Sequence, residues 1–271
     1  MPASALGRTG LALLILAAAS APATADTVRI GGTGMTIGVM SGIRDQLHAR
    51  QSALTVEVLP SMGTKGGLRA LADGVIEVAT AGRGLKPGEQ ALGMREAACA
   101  RTPLAFVTSH PAPNGIARAD LPGVYADPAV KWADGSPLKI IMRAQSGSEM
   151  PYLASRVPGL REAFDSAAQR QGMAIGATDQ QNAQLATRID GSFAMMTVLQ
   201  LRSEGLPLRT VRLDGVEPSA ETLADGSYPF SLRICLILPA EPTPGALEVV
   251  RQVRSEEGQA LFRSLGAEPS D

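Results

Sequence analysis

Three times in the first part of the chain, a run rich in β-branched residues ends in a glycine, serine or threonine loop. Each loop then leads into a segment with apolar residues at helical spacing. Thr27-Val28-Arg29-Ile30 enters Gly31-Gly32-Thr33-Gly34-Met35-Thr36 and continues through Ile37, Met40, Ile43 and Leu47. Leu54 to Leu59 alternates as a strand, stops at Pro60, and passes Ser61-Met62-Gly63-Thr64-Lys65-Gly66-Gly67 into a helix from Leu68 to Ala72. Ile76 to Ala81 ends in Gly82-Arg83-Gly84, with a helix starting near Glu89. This alternation predicts a mostly parallel sheet flanked by helices. Ligands of such sheets gather at the carboxyl ends of the strands, where these loops converge. A glycine loop at a helix start leaves N–H groups unpaired beside the positive end of the helix dipole, which suits an anion. The same loop also serves where glycine merely lets helix and strand pack closely. A dinucleotide fingerprint does not fit, because the third glycine is Gly38, one place too late.

Further strands are expected at Leu104–Thr108, Leu138–Arg143, Ser192–Met196, Thr210–Leu213 and Phe230–Leu238, with a short one at Ala174–Ala177. Helices are expected from near Ser148, which Ser146 or Ser148 caps, and from Thr178 to about Ile189. A last helix is expected over Gly245–Leu265. No repeat or low-complexity linker divides the chain. About 245 mature residues exceed a typical single domain, so two lobes are expected, with the chain crossing between them more than once.

The N-terminus sets the compartment. Arg8 precedes the uncharged run Leu11–Ala19, and Ala23 and Ala25 are the small residues a signal peptidase reads, so residues 1–25 are expected to be a cleaved signal peptide. The apolar run falls short of the roughly 20 residues a spanning helix needs. No cysteine sits at the cleavage point to carry a lipid. The mature protein is therefore expected to be periplasmic, without stable membrane insertion and monomeric. Losing Arg8 takes the formal charge from −1 to −2, which gives no basic excess for nucleic acid, and 3% aromatic residues do not support base stacking. The two cysteines, Cys99 and Cys235, permit one disulfide in an oxidising compartment or remain as two buried thiols.

The loops share donor chemistry. Lys65 and Arg83 each add a cation, and Arg143 ends the strand before Ala144-Gln145-Ser146-Gly147-Ser148-Glu149. Amides, hydroxyls and guanidinium groups are all donors, as a multiply charged oxyanion requires. Catalytic constellations are weak. His48 and His110 stand in unremarkable contexts, and Ser146-Gly147-Ser148 lacks the preceding glycine of a nucleophile elbow. Nothing brings Glu77 and Glu149 together as an acid–base pair, and no cysteine–histidine cluster has metal-ligand spacing. The chain reads as a binding protein without enzymatic activity, cofactor or metal.

In order and spacing, these motifs resemble the phosphate-type solute-binding proteins of ABC importers, which have the type II periplasmic-binding-protein fold. The marks are Gly32-Thr33-Gly34-Met35-Thr36, Gly63-Thr64-Lys65-Gly66-Gly67-Leu68 and Ser146-Gly147-Ser148 after Arg143. Further marks are Gly191-Ser192-Phe193-Ala194 and Asp214-Gly215-Val216-Glu217-Pro218-Ser219 leading to Tyr228-Pro229. The resemblance implies two α/β lobes, residues 26–105 with 230–271 and residues 106–229. Crossovers fall near Thr102–Thr108 and Tyr228–Leu238. Cys99 and Cys235 then lie at or near these crossovers, where a bridge between them is expected. A small anion, phosphate first, is held between the lobes for delivery to an ABC permease. The implied ligand set is Thr33, Gly34, Met35, Thr36, Thr64, Lys65, Arg83, Arg143, Ser146, Gly147 and Ser148. There are two departures. The aspartate that phosphate binders carry after the third strand is replaced by Ala81-Gly82-Arg83, and Arg143 lies one residue closer to the serine. An arginine in place of a proton acceptor favours a fully ionised or more acidic anion, unless Arg83 is only a solvated surface charge. The alternative function is a periplasmic sensor or adaptor with the same fold and an altered ligand site.

Overall fold

The computed structural model describes residues 26–144 and 147–270; the expected signal peptide and Ser146 lie outside the described residues. The first part runs β1 (Thr27–Gly32), α1 (Ile37–Ala49), β2 (Thr55–Val58), α2 (Gly63–Ala72), β3 (Val78–Ala81), α3 (Pro87–Gln90) and β4 (Arg95–Thr108). The middle holds α4 (Leu121–Ala126), β5 (Lys139–Arg143), α5 (Glu149–Ala154), α6 (Leu160–Ala168), β6 (Ala174–Gly176) and α7 (Asp179–Arg188). It continues with β7 (Ser192–Thr197), α8 (Val198–Ser203), β8 (Arg209–Val211) and α9 (Ala220–Ala224). The chain closes with β9 (Ser231–Leu238), α10 (Pro244–Arg254), α11 (Glu256–Ser264) and β10 (Glu268–Ser270).

The architecture is α/β and two-lobed, with a mixed sheet in the order β2-β1-β3-β9-β4-β7-β5-β6. In the first lobe β1 lies between β2 and β3, parallel to both, and in the second β5 lies between β6 and β7, again parallel to both. The antiparallel strands β9 and β4 join these halves. Residues 95–103 of β4 pair with β9, whereas Leu104–Val107 pair with β7 and Phe106–Thr108 with β8. One long strand thus belongs to the sheets of both lobes. α1 buries Val39, Met40, Ile43 and Leu47 on one face, the stripe its apolar spacing predicts. In the second lobe Phe106 and Phe193 stack at 5.0 Å between ring centres, with Tyr125 edge-on to Phe164.

Two expectations about elements change. β4 begins at Arg95, nine residues before the expected Leu104. Its first half, Arg95-Glu96-Ala97-Ala98-Cys99-Ala100-Arg101, has little β propensity and is a strand because β9 pairs along it. The single last helix is in fact two. Ser255 adopts an extended conformation (φ −65°, ψ 159°), and its side chain accepts from Gly258 N–H to cap α11.

Packing between α2 and β1 needs Gly67, where a Cβ would stand 2.5 Å from Gly32 Cα. Among the described residues no helix is long and apolar enough to cross a membrane. Cys99 and Cys235 face each other in the β4–β9 register and form a disulfide across 136 residues of sequence. Closing so long a loop restricts the unfolded chain. The double variant C99A/C235A is expected to lose about 2–5 kcal/mol in denaturant unfolding under non-reducing conditions. Reduced wild type should fall to the same level.

Candidate functional site

A cleft of about 1010 Å³ opens between the lobes where β1, β3 and β5 end. Its first-lobe wall includes Thr33, Thr64, Lys65, Gly82 and Arg83, and its second-lobe wall Arg143, Gly147, Ser148, Glu149, Tyr152 and Asp179. Residues from five separate strand–helix junctions therefore meet, as parallel-sheet topology requires. At the inner end the walls nearly touch. Ser148 Oγ would stand 3.1 Å from a Cβ on Gly82 and Thr64 Oγ1 3.7 Å, and Thr64 Oγ1 accepts from Gly82 N–H at 2.9 Å.

Two donors from opposite lobes, Gly34 N–H and Arg143, are already occupied by a protein carboxylate. Asp179 opens α7, with Thr178 as its cap. Its Oδ2 accepts from Gly34 N–H of the first lobe at 2.7 Å, and its Oδ1 accepts from Arg143 at 2.9 Å. The neighbouring Gln180 donates to Gly34 O at 2.9 Å. Only glycine fits here, because a Cβ on residue 34 would lie 2.8 Å from Asp179 Oδ2 and from Ser61 Cβ. The Arg143 and Asp179 side chains are 6% and 8% exposed, so their pairing is a buried one. Arg143 also donates to the carbonyls of Thr178 at 2.6 Å and Gly176 at 3.3 Å. Glu149 Oε1 lies 3.7 Å from the same guanidinium, while its buried Oε2 has no hydrogen-bond partner. Burial raises the Glu149 carboxyl above the usual carboxylate range; Asp179 adds to the rise and Arg143 opposes it.

These contacts redistribute the expected ligand residues. Thr33, Thr64, Lys65, Arg83, Arg143, Gly147 and Ser148 line the cleft; Gly34, Met35 and Thr36 do not. Gly34 gives its N–H to Asp179, and Met35 is packed in the core at 2% exposure. The Thr36 hydroxyl turns inward, within 2.9 Å of both Thr33 O and Thr80 Oγ1. Arg83 is neither a solvated charge nor an open selector. It forms a two-pronged pair with Glu89 at 2.7 and 2.8 Å, which lowers the Glu89 carboxyl and raises the guanidinium. Glu77 pairs with Arg29 at 2.6 Å, so it forms no acid–base couple with Glu149. His110 stacks on Trp132, with Nε2 3.0 Å from Asp134. Among the described residues, the one cluster tight enough for a metal is Glu96, Cys99 and Cys235, and both sulfurs are in the disulfide.

Sequence reasoning missed Asp179, Glu149 and the outer cations. In the sequence Asp179 stands out only as part of the helix expected from Thr178 to about Ile189. The signal available was its place after a short strand and threonine cap, a fifth junction of the same type. Seven cations line the cleft, Lys65, Arg83, Lys86, Arg101, Arg143, Arg156 and Arg233, against two acids, Glu149 and Asp179. A nearly neutral chain thus concentrates positive charge in one groove, which focuses the field on an entering anion.

The model of the PBP superfamily domain matches residues 17–257. The chain belongs to that superfamily. Its fold is similar to that of a putative phosphate ABC transporter substrate-binding protein with bound phosphate from Clostridium perfringens (18% identity, TM-score 0.74, 91% of this chain and 100% of that one). It is also similar to the periplasmic molybdate-binding protein of Azotobacter vinelandii (11%, 0.59, 90% and 100%). A third likeness is to the reduced form of OxyR from N. meningitidis (8%, 0.60, 90% and 99%). Among curated proteins none matches this chain. At these identities the likenesses carry the fold, and this PBP-superfamily fold is shared by proteins that differ in ligand.

Two outcomes test the inner cluster. Asp179→Ala leaves Arg143 buried without its closest charged partner and should cost about 3–5 kcal/mol in unfolding free energy. Glu149 favours its neutral form when folded, so its contribution is complete below the ordinary carboxylate pKa and is lost as pH rises through the elevated one. Glu149→Gln should therefore gain stability relative to wild type as pH rises above the ordinary carboxylate range, read by thermal unfolding. A pH-independent difference would remove the protonation account.

Proposed function

We propose that this PBP-superfamily protein is an extracytoplasmic solute-binding protein. It captures a small solute bearing a phosphate-like oxyanion between its lobes and delivers it to an ABC permease, catalysing no reaction. The observation that carries this reading is the convergence of Thr64, Ser148 and seven cations on one cleft at the strand ends. Charge-assisted hydrogen bonds contribute about 1.5–3 kcal/mol each, so a few of them support micromolar binding, about −8 kcal/mol. With Asp179 holding Gly34 N–H and Arg143, the oxyanion sits against Thr64, Lys65 and Ser148. An anion touching both walls favours the closed arrangement by its differential affinity for it. We assign residues 26–105 with 230–271 to one lobe and 106–229 to the other; β4 changes partner from β9 to β7 at Leu104, which supports this division.

The second reading, a sensor or adaptor that contacts a partner protein, is favoured by the same Asp179. A protein carboxylate already joins Gly34 to Arg143, and lobe closure needs no solute. Calorimetric titration separates the two. The solute-binding reading expects heat from at least one anion in a panel including phosphate, sulfate, molybdate and phosphonates. It also expects about tenfold or more weaker binding in T64A/S148A, from the loss of two hydroxyl donors. Retained biological function in a variant that binds no anion would favour the sensor.

A further inference from the structure

We infer that the solute is an organic polyanion, a carbon skeleton carrying two or more carboxylate or phosphate groups, rather than a free inorganic oxyanion. This rests on the solute-binding reading and deepens it. Two of the donors that the resemblance assigns to a lone tetrahedral ion, Gly34 N–H and Arg143, hold Asp179 instead, and Ser148 comes close to Gly82. An inorganic ion placed there would meet a carboxylate in its own position, and like charges at close range disfavour each other.

What remains open is larger and charged differently. The cleft's 1010 Å³ lies at the top of the roughly 300–1,000 Å³ range of sites that enclose drug-sized organic ligands. Three of its cations have carboxylate partners: Arg83 with Glu89, Arg143 with Asp179 and Arg233 with Glu96. Lys65, Lys86, Arg101 and Arg156 have none within 4.0 Å among the described residues. These four come from four elements, α2, the turn into α3, β4 and the segment after α5, and Arg101 and Arg156 share neighbours that Lys65 and Lys86 do not. Charges on separate elements match a ligand with separated anionic groups.

Two of them are held in place. Arg156 lies 3.7 Å over the Tyr152 ring and donates to Tyr152 O, which orients its guanidinium. The Tyr152 hydroxyl accepts from Ser231 N–H at 2.9 Å, and Ser231 Oγ accepts from Arg101 at 2.9 Å. Tyr152 and Ser231 thus link α5 to β9 and set Arg101 and Arg156 on one shared support. One anionic group of the solute meets Thr64, Lys65 and Ser148, and a second meets Arg101 and Arg156. Preorganised guanidinium groups suit carboxylate and phosphate alike, through paired N–H donors.

The test is calorimetric titration of the mature protein with citrate, fructose 1,6-bisphosphate, glycerol phosphate and inorganic phosphate at fixed ionic strength. Citrate or the bisphosphate should bind about tenfold or more tighter than inorganic phosphate. R101A/R156A should remove that advantage, whereas R251A/R254A, the same charge change on α10 outside the cleft, should keep it. Which of the two polyanions binds distinguishes carboxylate from phosphate groups. Inorganic phosphate binding as tightly as either polyanion would overturn this inference and leave the solute-binding reading standing. An equal loss in R251A/R254A would also overturn it, by showing general charge attraction. No heat from any of the four anions or the wider oxyanion panel would overturn the solute-binding reading itself.

Discussion

The buried carboxylate of Asp179 is the constraint on which the site depends. A charge so deeply placed must be paired and hydrogen-bonded, and its partners come from both halves of the molecule: Arg143 from one and the Gly34 amide from the other. Satisfying it fixes the start of α7, excludes a side chain at residue 34 and holds the inner ends of the lobes together. The Gly34 and Arg143 donors that answer this carboxylate are engaged within the protein, while other cations line the groove.

The scaffold that makes this arrangement possible is the β4–β9 pair. Because β4 pairs first with β9 and then with β7 and β8, the two parallel sheets are continuous through one strand. Strand ends that carry Thr33, Gly82 and Arg143 consequently face a common space. The disulfide lies in the same pair, upstream of the point where β4 changes partners. The glycine loops serve packing and recognition together: Gly67 brings α2 against β1, and Gly34 brings its amide against Asp179.

Much of the fold was legible because parallel strands and their helices announce themselves locally. The motif Gly32-Thr33-Gly34-Met35-Thr36 marks a strand–loop–helix junction whatever surrounds it, and the loops with Thr64, Gly82 and Gly147 do the same. The site was legible only in part. Thr64, Lys65 and Ser148 line the cleft, but Thr36 turns inward because Thr80 and the Thr33 carbonyl lie beside it. Arg83, a plain cation in the sequence, is held by a glutamate six residues on that caps the following helix.

By itself the amino-acid sequence determined the order of strands and helices and the donor-rich character of their junctions. Each of these depends on residues near one another in the chain. Tertiary structure decided that Arg95–Thr102 is a strand, that Asp179 occupies Gly34 and Arg143, and that Arg101 and Arg156 share a support on Tyr152 and Ser231. Those outcomes pair groups far apart in sequence, and the balance between burying a charge and finding its partner exists only once the chain has brought them together.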